Sequence, residues 1–375
     1  MRLLKLMSCV KRNFFKKTLH YINTRQRKAD CLRGKEEKIR KGLSKASVTQ
    51  IIILGDSRIM SVIIKQRREK MKSFRNDVKI IGIDHGYGNI KTENSCFPAG
   101  VTVSAVEPTF KENLLVWNGK YYIIGAEHKE FVAEKMHDDD YYVMTLAAIA
   151  EELKTYGIQD AKIYLAAGLP LTWVSFQREM FLSYLLRESE VDFSYKGTDY
   201  HVEILGAMIY PQGFAAVIDE IDKFENLNML CDIGNGTMNI MFINDKKVDV
   251  TKCYTEKFGT QQCMIEIREN LMKLHHAALP EETIIKIISK QKVNIDEDYL
   301  KTVEDTAKEY VKKIFIKLGE HGYDPKIMDL HVVGGGGCLI RNFAEPNERI
   351  KINDDICATA KGYERMLQMM LNSSR

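Results

Sequence analysis

The stretch "KIIGIDHGYGNIKT", residues 79–92, runs apolar and small residues into an aspartate and then turns on two glycines. Nearly the same phrase returns as "LCDIGNGTMNIMF" at 230–242. The aligned cores are Asp84-His85-Gly86-Tyr87-Gly88 and Asp232-Ile233-Gly234-Asn235-Gly236, with the two aspartates 148 positions apart. Each core follows a buried-strand pattern and precedes another extended run. The pattern predicts a tight β-turn in each copy, where glycine permits positive φ and the close approach of another group. Successive backbone N–H groups exposed on such a turn form an anion-binding concavity, and the absent side chains let phosphate oxygens reach them.

An aspartate at the strand end would by itself repel phosphate. Two carboxylates from two copies become useful with Mg²⁺ between them and the phosphates, because that ion takes oxygen ligands and keeps several waters. Asp84 and Asp232 are therefore expected to hold the ion through its water shell. Lys91 adds a point charge for the phosphates, and Asn89 and Thr237 supply side-chain donors. A third signal is Gly334-Gly335-Gly336-Gly337 after the strand-like "IMDLHVV"; it exposes backbone on which a flat or ribose-like group can lie. One D-x-G-x-G is common in ordinary hairpins. Two copies at equivalent points of a repeat, together with the four-glycine run, point to a nucleotide. The letters exclude the commoner nucleotide motifs. "GYGNIKT" lacks the second glycine that a P-loop places before its lysine, and both copies lack the third glycine of a dinucleotide fingerprint.

Outward from these phrases the chain reads as one plan used twice. Hairpins are predicted around Asn118-Gly119 and Lys196-Gly197. Helices are predicted in "DDDYYVMTLAAIAEELKTYG" and "SFQREMFLSYLLRESE", and a loop entering a helix in "YPQGFAAVIDEI". In the second half, "GTQQCMIEIRENLMKL", "DEDYLKTVEDTAKEYVKKIFIKLGEHG" and "DDICATAKGYERMLQMML" read as helices, and "IMDLHVVGGGG" as a strand running into a glycine loop. A repeat this long predicts two similar domains facing across a cleft. Gly259-Thr260 opens a helix after the second phrase and is a candidate to approach the nucleotide through the helix N-terminus. His275-His276 and Asp138-Asp139-Asp140 lack the partners of a metal site and read as surface or cap. Tyr121-Tyr122 and Tyr141-Tyr142 read as packing aromatics.

The chain of 375 residues is 45% hydrophobic and 28% charged, a globular composition long enough for two domains. No apolar run approaches the roughly 18 residues that would span a bilayer, and the basic N-terminus has no signal-peptide core. Eight scattered cysteines without a C-x-x-C pair read as reduced thiols. The net charge of +4 hides a split: residues 1–76 hold 22 Lys+Arg against 5 Asp+Glu, so +17, and the rest of the chain carries −13. Such an arm attracts polyanions, nucleic acid among them. The blander reading is a disordered tail, or translated sequence upstream of a start at Met71.

These residues resemble the actin-like ATPase superfamily. "IIGIDHGYGNIKT" and "LCDIGNGTMNI" are similar to its two phosphate motifs, "DLHVVGGGGCLI" to its adenosine motif, and "YPQGFAA" and "DDICATAKGYERM" to its two connecting segments. The five motifs stand in the expected order over about residues 78–372. "DHGYGNIKT", "AAGLPLTW" and "YPQGFAAV" are most similar to the bacterial plasmid-segregation actins of the ParM/StbA type.

The resemblance implies an α/β, ribonuclease H-like, duplicated two-domain fold with the nucleotide in the cleft. The expected division is a basic extension at 1–76, domain I at 77–216 and domain II at 217–375, with the C-terminal helix returning toward domain I. The resemblance also implies a cytoplasmic, slow ATP hydrolase with ATP and Mg²⁺ as cofactors. Such a protein polymerises with itself to segregate plasmid DNA and works with a DNA-bound adaptor of the ParR type. On the site, Gln212 matches the polar position that orients the attacking water. Gly86, Tyr87, Gly88, Asn89 and Lys91, then Gly234, Asn235, Gly236 and Thr237, and then Gly259 and Gly334 to Gly337 would line the nucleotide. Two other readings stay open: a non-polymerising small-molecule kinase of the same fold, and a DNA-binding fusion acting through the basic arm.

Overall fold

The computed structural model describes residues 78–125, 138–170 and 173–373. The basic arm, its strand-like and helix-like runs and Met71 lie outside the described residues. The first half contains β1 (Val78–His85), β2 (Asn89–Lys91), β3 (Cys96–Pro98), β4 (Val101–Ser104), β5 (Leu114–Trp117), β6 (Lys120–Ile124), α1 (Asp140–Thr155), β7 (Asp160–Leu169), α2 (Val174–Leu185), β8 (Glu190–Tyr195) and β9 (Thr198–Pro211). Two short 3₁₀ turns, Phe214–Val217 and Ile221–Lys223, lead out of it. The second half contains β10 (Leu227–Ile233), β11 (Met238–Asn244), β12 (Lys247–Glu256), α3 (Thr260–His275), α4 (Glu281–Ile288), α5 (Glu297–Glu320), β13 (Asp329–Val333), α6 (Gly337–Phe343), β14 (Ile350–Ile352) and α7 (Ala358–Ser373).

The duplication read from the sequence appears as topology. The nine-stranded sheet has the order β3-β2-β1-β7-β9-β8-β5-β6-β4, and the five-stranded sheet β12-β11-β10-β13-β14. The first five strands of the larger sheet and the whole of the smaller one follow the same path. A three-strand antiparallel meander is followed by two strands parallel to its first. β1 and β10 are the equivalent central strands, and each ends at its aspartate phrase. Both are buried almost throughout, as strands with parallel neighbours and helices on their faces must be. The larger sheet is extended by β8, β5, β6 and β4, joined by the two expected hairpins. Their turn residues take left-handed backbone, with φ of 49° and 70° at Asn118 and Gly119 and of 53° and 75° at Lys196 and Gly197. That is the signature of a two-residue turn matched to strand twist.

Three apolar clusters organise the interior. One fills the first half around α1 and β7, and one fills the second around α3 and α5. The third draws on both sheets, with Ile80, Tyr164, Leu230, Val333, Phe214 and Tyr363 among its members. α7 is its keystone and lies back on β1 and β7. Gly82 donates its N–H to Glu364 Oε1 at 2.9 Å. A Cβ on Gly82 would stand 2.1 Å from the Ala360 carbonyl, and one on Gly168 1.9 Å from the Tyr363 hydroxyl. A glycine inside a strand often marks close backbone approach, and here the approaching element is α7.

Some expectations need correction. "FAAVIDEI" forms 3₁₀ turns closed by Ala216 N–H to Gly213 O and Phe224 N–H to Ile221 O, not a helix. The glycine loop is shorter than expected, since Gly337 already opens α6. α4 and β14 had no reading in the sequence. Both are short, and neither has a period long enough to stand out.

Gly362 tests the seat of α7, because a Cβ there would fall 1.9 Å from the Ala215 carbonyl oxygen. Gly362→Ala is expected to destabilise the protein by roughly 1–3 kcal/mol in denaturant unfolding. Gly319→Ala, in helix α5 with nothing within 4 Å of its added methyl, is expected to be neutral or stabilising by up to about 1 kcal/mol. Equal midpoints for the two variants would contradict this packing.

Candidate functional site

The two aspartate phrases form equivalent turns. In β1–β2, Asp84 pairs with Lys91 and His85 with Ile90; in β10–β11, Asp232 pairs with Asn239 and Ile233 with Met238. The second turn is closed by Gly234 N–H to Thr237 O at 2.9 Å. In the first, a Cβ on Gly86 would lie 2.6 Å from the Asn89 carbonyl oxygen. The turns face one another, because a Cβ on Gly88 would meet the Asn235 side chain at 2.8 Å. Gly88 is thus a glycine for the sake of the opposite turn.

Behind the turns stand the carboxylates. Asp84 and Asp232 are 8% and 9% exposed. Burial, with the charge of Asp84 added to it, pushes Asp232 up to about 7, although Lys91 and a hydrogen bond from Asn239 pull the other way. Lys91 places its Nζ 3.7 Å from Asp84 Oδ2. Burial pulls its ammonium down, but the charges of Asp84 and Asp232 outweigh that and hold it above its ordinary range. Gln212 is buried, donates its backbone N–H to Leu169 O at 2.9 Å, and donates Nε2–H to Asp84 Oδ1 at 3.2 Å. A carboxylate oxygen only accepts, so the Gln212 carbonyl oxygen is directed away from Asp84 and free to take a hydrogen bond. Gly213, at φ 83°, would bring a Cβ to 3.1 Å from that of Asp232, and Gly334, at φ 85°, to 2.6 Å from Asp232 Oδ1.

The structure therefore brings together Asp84, Lys91, Gln212, Asp232, both turns and the glycine run. Within that run, Gly336 N–H binds Ile233 O at 2.9 Å, and Gly335 has open space where a side chain would stand. Other expected residues play different parts. The Tyr87 ring is buried, edge-on to Trp173, so it presents backbone to the turn. Gly259 N–H is taken by Gln262 Oε1, Thr260 N–H by Gly234 O and Gln261 N–H by Asn235 O. The α3 N-terminus thus spends its donors holding the second turn, and a Cβ on Gly259 would collide with Asn235 O at 2.1 Å. His275 bonds Thr302, and His276 is the left-handed cap of α3. Asp138 accepts the Asp140 N–H at the start of α1, and Tyr122, Tyr141 and Tyr142 are core.

Two residues escaped the sequence reading. Asn239 is the counterpart of Lys91 in the other copy, seven positions after its aspartate; the repeat offset of 148 would have found it. His85 is fully buried, with Nε2 2.8 Å from Thr145 Oγ1. The Thr145 hydroxyl gives its hydrogen to Tyr141 O at 2.6 Å, so His85 Nε2–H is the donor, which ties the first turn to α1.

Among the described residues no group of three or more His, Cys, Asp or Glu could hold a metal. The pair fits a different kind of ion. Mg²⁺ is commonly held by one or two carboxylates, waters and substrate phosphates. Two buried carboxylates with the charge of one Lys91 between them form a site that a cation would relieve. A surface concavity lies elsewhere, near the starts of β7 and β9, and contains none of these groups.

Comparison with known proteins agrees with this geometry. Residues 82–214 match the family described as actin-like proteins, N-terminal domain. No curated protein sequence matches. Among solved structures, a 15-stranded ParM filament from Clostridium botulinum superposes with a TM-score of 0.61 at 18% identity, over 80% of this chain and 100% of that one. ParM of Bacillus thuringiensis with ATP gives 0.57 at 15%, over 79% and 99%. An archaeal actin homologue in complex with ADP gives 0.58 at 19%, over 77% and 99%. At these identities the likeness is one of fold. The chain has the duplicated, actin-like α/β architecture that its motifs resemble, and no helix among the described residues is long and apolar enough to cross a membrane.

The raised Asp232 pKa predicts a pH effect on the protein free of nucleotide and divalent cation. A carboxyl that holds its proton more tightly when folded stabilises fully below its ordinary value of 3.8, and that contribution is lost as pH rises through about 7. Asp232→Asn is expected to unfold at a higher temperature than wild type at pH 8 and at about the same temperature at pH 4. Identical unfolding temperatures at pH 8 would refute the buried-charge assignment.

Proposed function

We propose that this chain is an ATP hydrolase that assembles into nucleotide-dependent filaments and, with a DNA-bound adaptor, segregates plasmid or other mobile-element DNA in the cytoplasm. One observation carries the reading. Two turns from equivalent positions of two equivalent sheets converge, with a carboxylate behind each and Gln212 bound to one of them. On this reading domain I spans 77–216 and domain II 217–375, and the triphosphate lies between the turns. Backbone N–H groups of Gly86 to Gly88 and of Asn235 and Gly236 take its oxygens, while Lys91 adds its charge. Gly334 to Gly337 form the floor for the ribose and base. Asp84 and Asp232 hold Mg²⁺, which supplies charge neutralisation when bound.

Hydrolysis needs positioning more than covalent chemistry. The free carbonyl oxygen of Gln212 accepts a hydrogen bond from water and aims its lone pair at the terminal phosphorus. The water oxygen forms its bond to the terminal phosphorus as the bridging oxygen departs with the diphosphate, and the proton that the water loses passes to an oxygen of the released phosphate. A neutral amide is a poor base, so turnover is slow, which suits a filament whose hydrolysis lags assembly. The solved ParM filament and the ATP- and ADP-bound relatives support this use of the fold.

Sedimentation with ATP and Mg²⁺ is the direct test. Wild type is expected to pellet with ATP and to stay in solution without it; no ATP-dependent pellet would favour a non-polymerising enzyme of the same fold. Asp232→Ala is expected to lower phosphate release at least about 100-fold while the circular dichroism spectrum is kept. Gln212→Ala is expected to slow phosphate release and lengthen filament lifetime, and wild-type release rates in that variant would remove Gln212 from the reaction.

A further inference from the structure

The concavity near the starts of β7 and β9 has a volume of about 570 Å³. It lies over β5, β8 and β9, where Trp117, Phe193 and Tyr200 turn their rings to the core on the other face of the strands. Its walls carry Asp160, Asp192 and Asp199 beside a single basic group, His201. His201 is already engaged, with Nδ1 2.7 Å from Asp192 Oδ1 and Nε2 3.4 Å from Glu190 Oε1. The neighbouring Lys162 is paired with Glu203. Asp160 and Asp199 have no ion pair among the described residues. The concavity therefore has an unbalanced negative charge.

The chain enters the fold beside it. Val78, the first residue of β1, stands opposite Lys162 in the parallel β1–β7 register, and Asp160, two residues earlier on β7, stands opposite His201 on β9. The sequence that arrives at Val78 is the most basic in the molecule: residues 65–75 hold six Lys and Arg and one Glu. An extended chain covers about 3.3–3.6 Å per residue, so these residues reach a surface one to three strands away with length to spare. The arm carries +17 and the rest of the chain −13.

We infer that this concavity is the docking surface for the chain's own basic segment, residues 65–75, held by ion pairs from its Lys and Arg side chains to Asp160, Asp192 and Asp199. Because the segment is tethered close to its site, weak exposed ion pairs suffice through high effective concentration. While docked, those charges are withheld from other polyanions, so the body of the protein competes internally with nucleic acid for the arm. This inference is independent of the nucleotide reading.

Carbodiimide coupling of the full-length chain at low protein concentration, followed by peptide mass spectrometry, tests it. The expected products join Lys65, Lys70 or Lys72 to Asp160, Asp192 or Asp199 within the monomer. Their yield is expected to fall about tenfold in R67Q/R68Q/R75Q, which removes three exposed ion pairs and leaves every coupled lysine and carboxylate in place. It is expected to fall likewise for wild type in 1 M salt, where the screening length is about 3 Å. The salt arm needs no variant to fold. Coupling of those lysines to other carboxylates, to none, or only within a dimer would overturn the inference, as would a yield unchanged by salt.

Discussion

Two carboxylates buried at the ends of equivalent strands are the constraint around which this molecule is arranged. An isolated buried charge is costly enough that the group usually takes up a proton or finds a partner. Asp84 has Lys91 and Gln212. Asp232 has the hydrogen bond from Asn239 and the more distant pull of Lys91, and is pushed up to about 7. The first copy of the repeat thus carries a cation where the second carries an amide. The asymmetry leaves the pair short of positive charge, and it is the physical reason to expect a ligand that brings a cation with it.

The glycines follow from the same constraint. Gly88 yields to Asn235, Gly213 and Gly334 yield to Asp232, and Gly259 yields to the second turn. Gly88 and Gly213 remove side chains that would otherwise fill the gap between the halves, and Gly334 and Gly259 let segments of the second half close on Asp232 and its turn. The backs of the two sheets are fastened by the cluster around α7, where Gly82, Gly168 and Gly362 allow contact at backbone distance. The C-terminal helix is packed behind β1, the strand whose end presents Asp84. Packing energy is spent behind the site, and polar groups are concentrated at its mouth.

Much of this was legible because the signal was repeated. A single Asp84 phrase has an ordinary hairpin explanation; its return at Asp232 exposed both the duplication and the functional turns. Asn118-Gly119 and Lys196-Gly197 were readable because few residue pairs adopt two successive left-handed conformations. What escaped was set by tertiary contact. Gly82 is locally a flaw in a strand, and only α7 explains it. Gly259 carried a reading as a phosphate-approaching helix terminus, yet its neighbours' N–H groups serve the carbonyls of Gly234 and Asn235. Short elements such as α4 and β14 have too few residues to display a period. Asn239 lies beyond the glycines that mark the repeat, and only the register of the following strand makes it the counterpart of Lys91.

The central claim is that the facing turns hold one nucleotide between them. Isothermal titration of ATP into the full-length protein with Mg²⁺ tests it most directly. The account predicts one binding event per chain, weakened when Mg²⁺ is withheld. No heat of binding at any ATP concentration from micromolar to millimolar, confirmed by equilibrium dialysis, would contradict it.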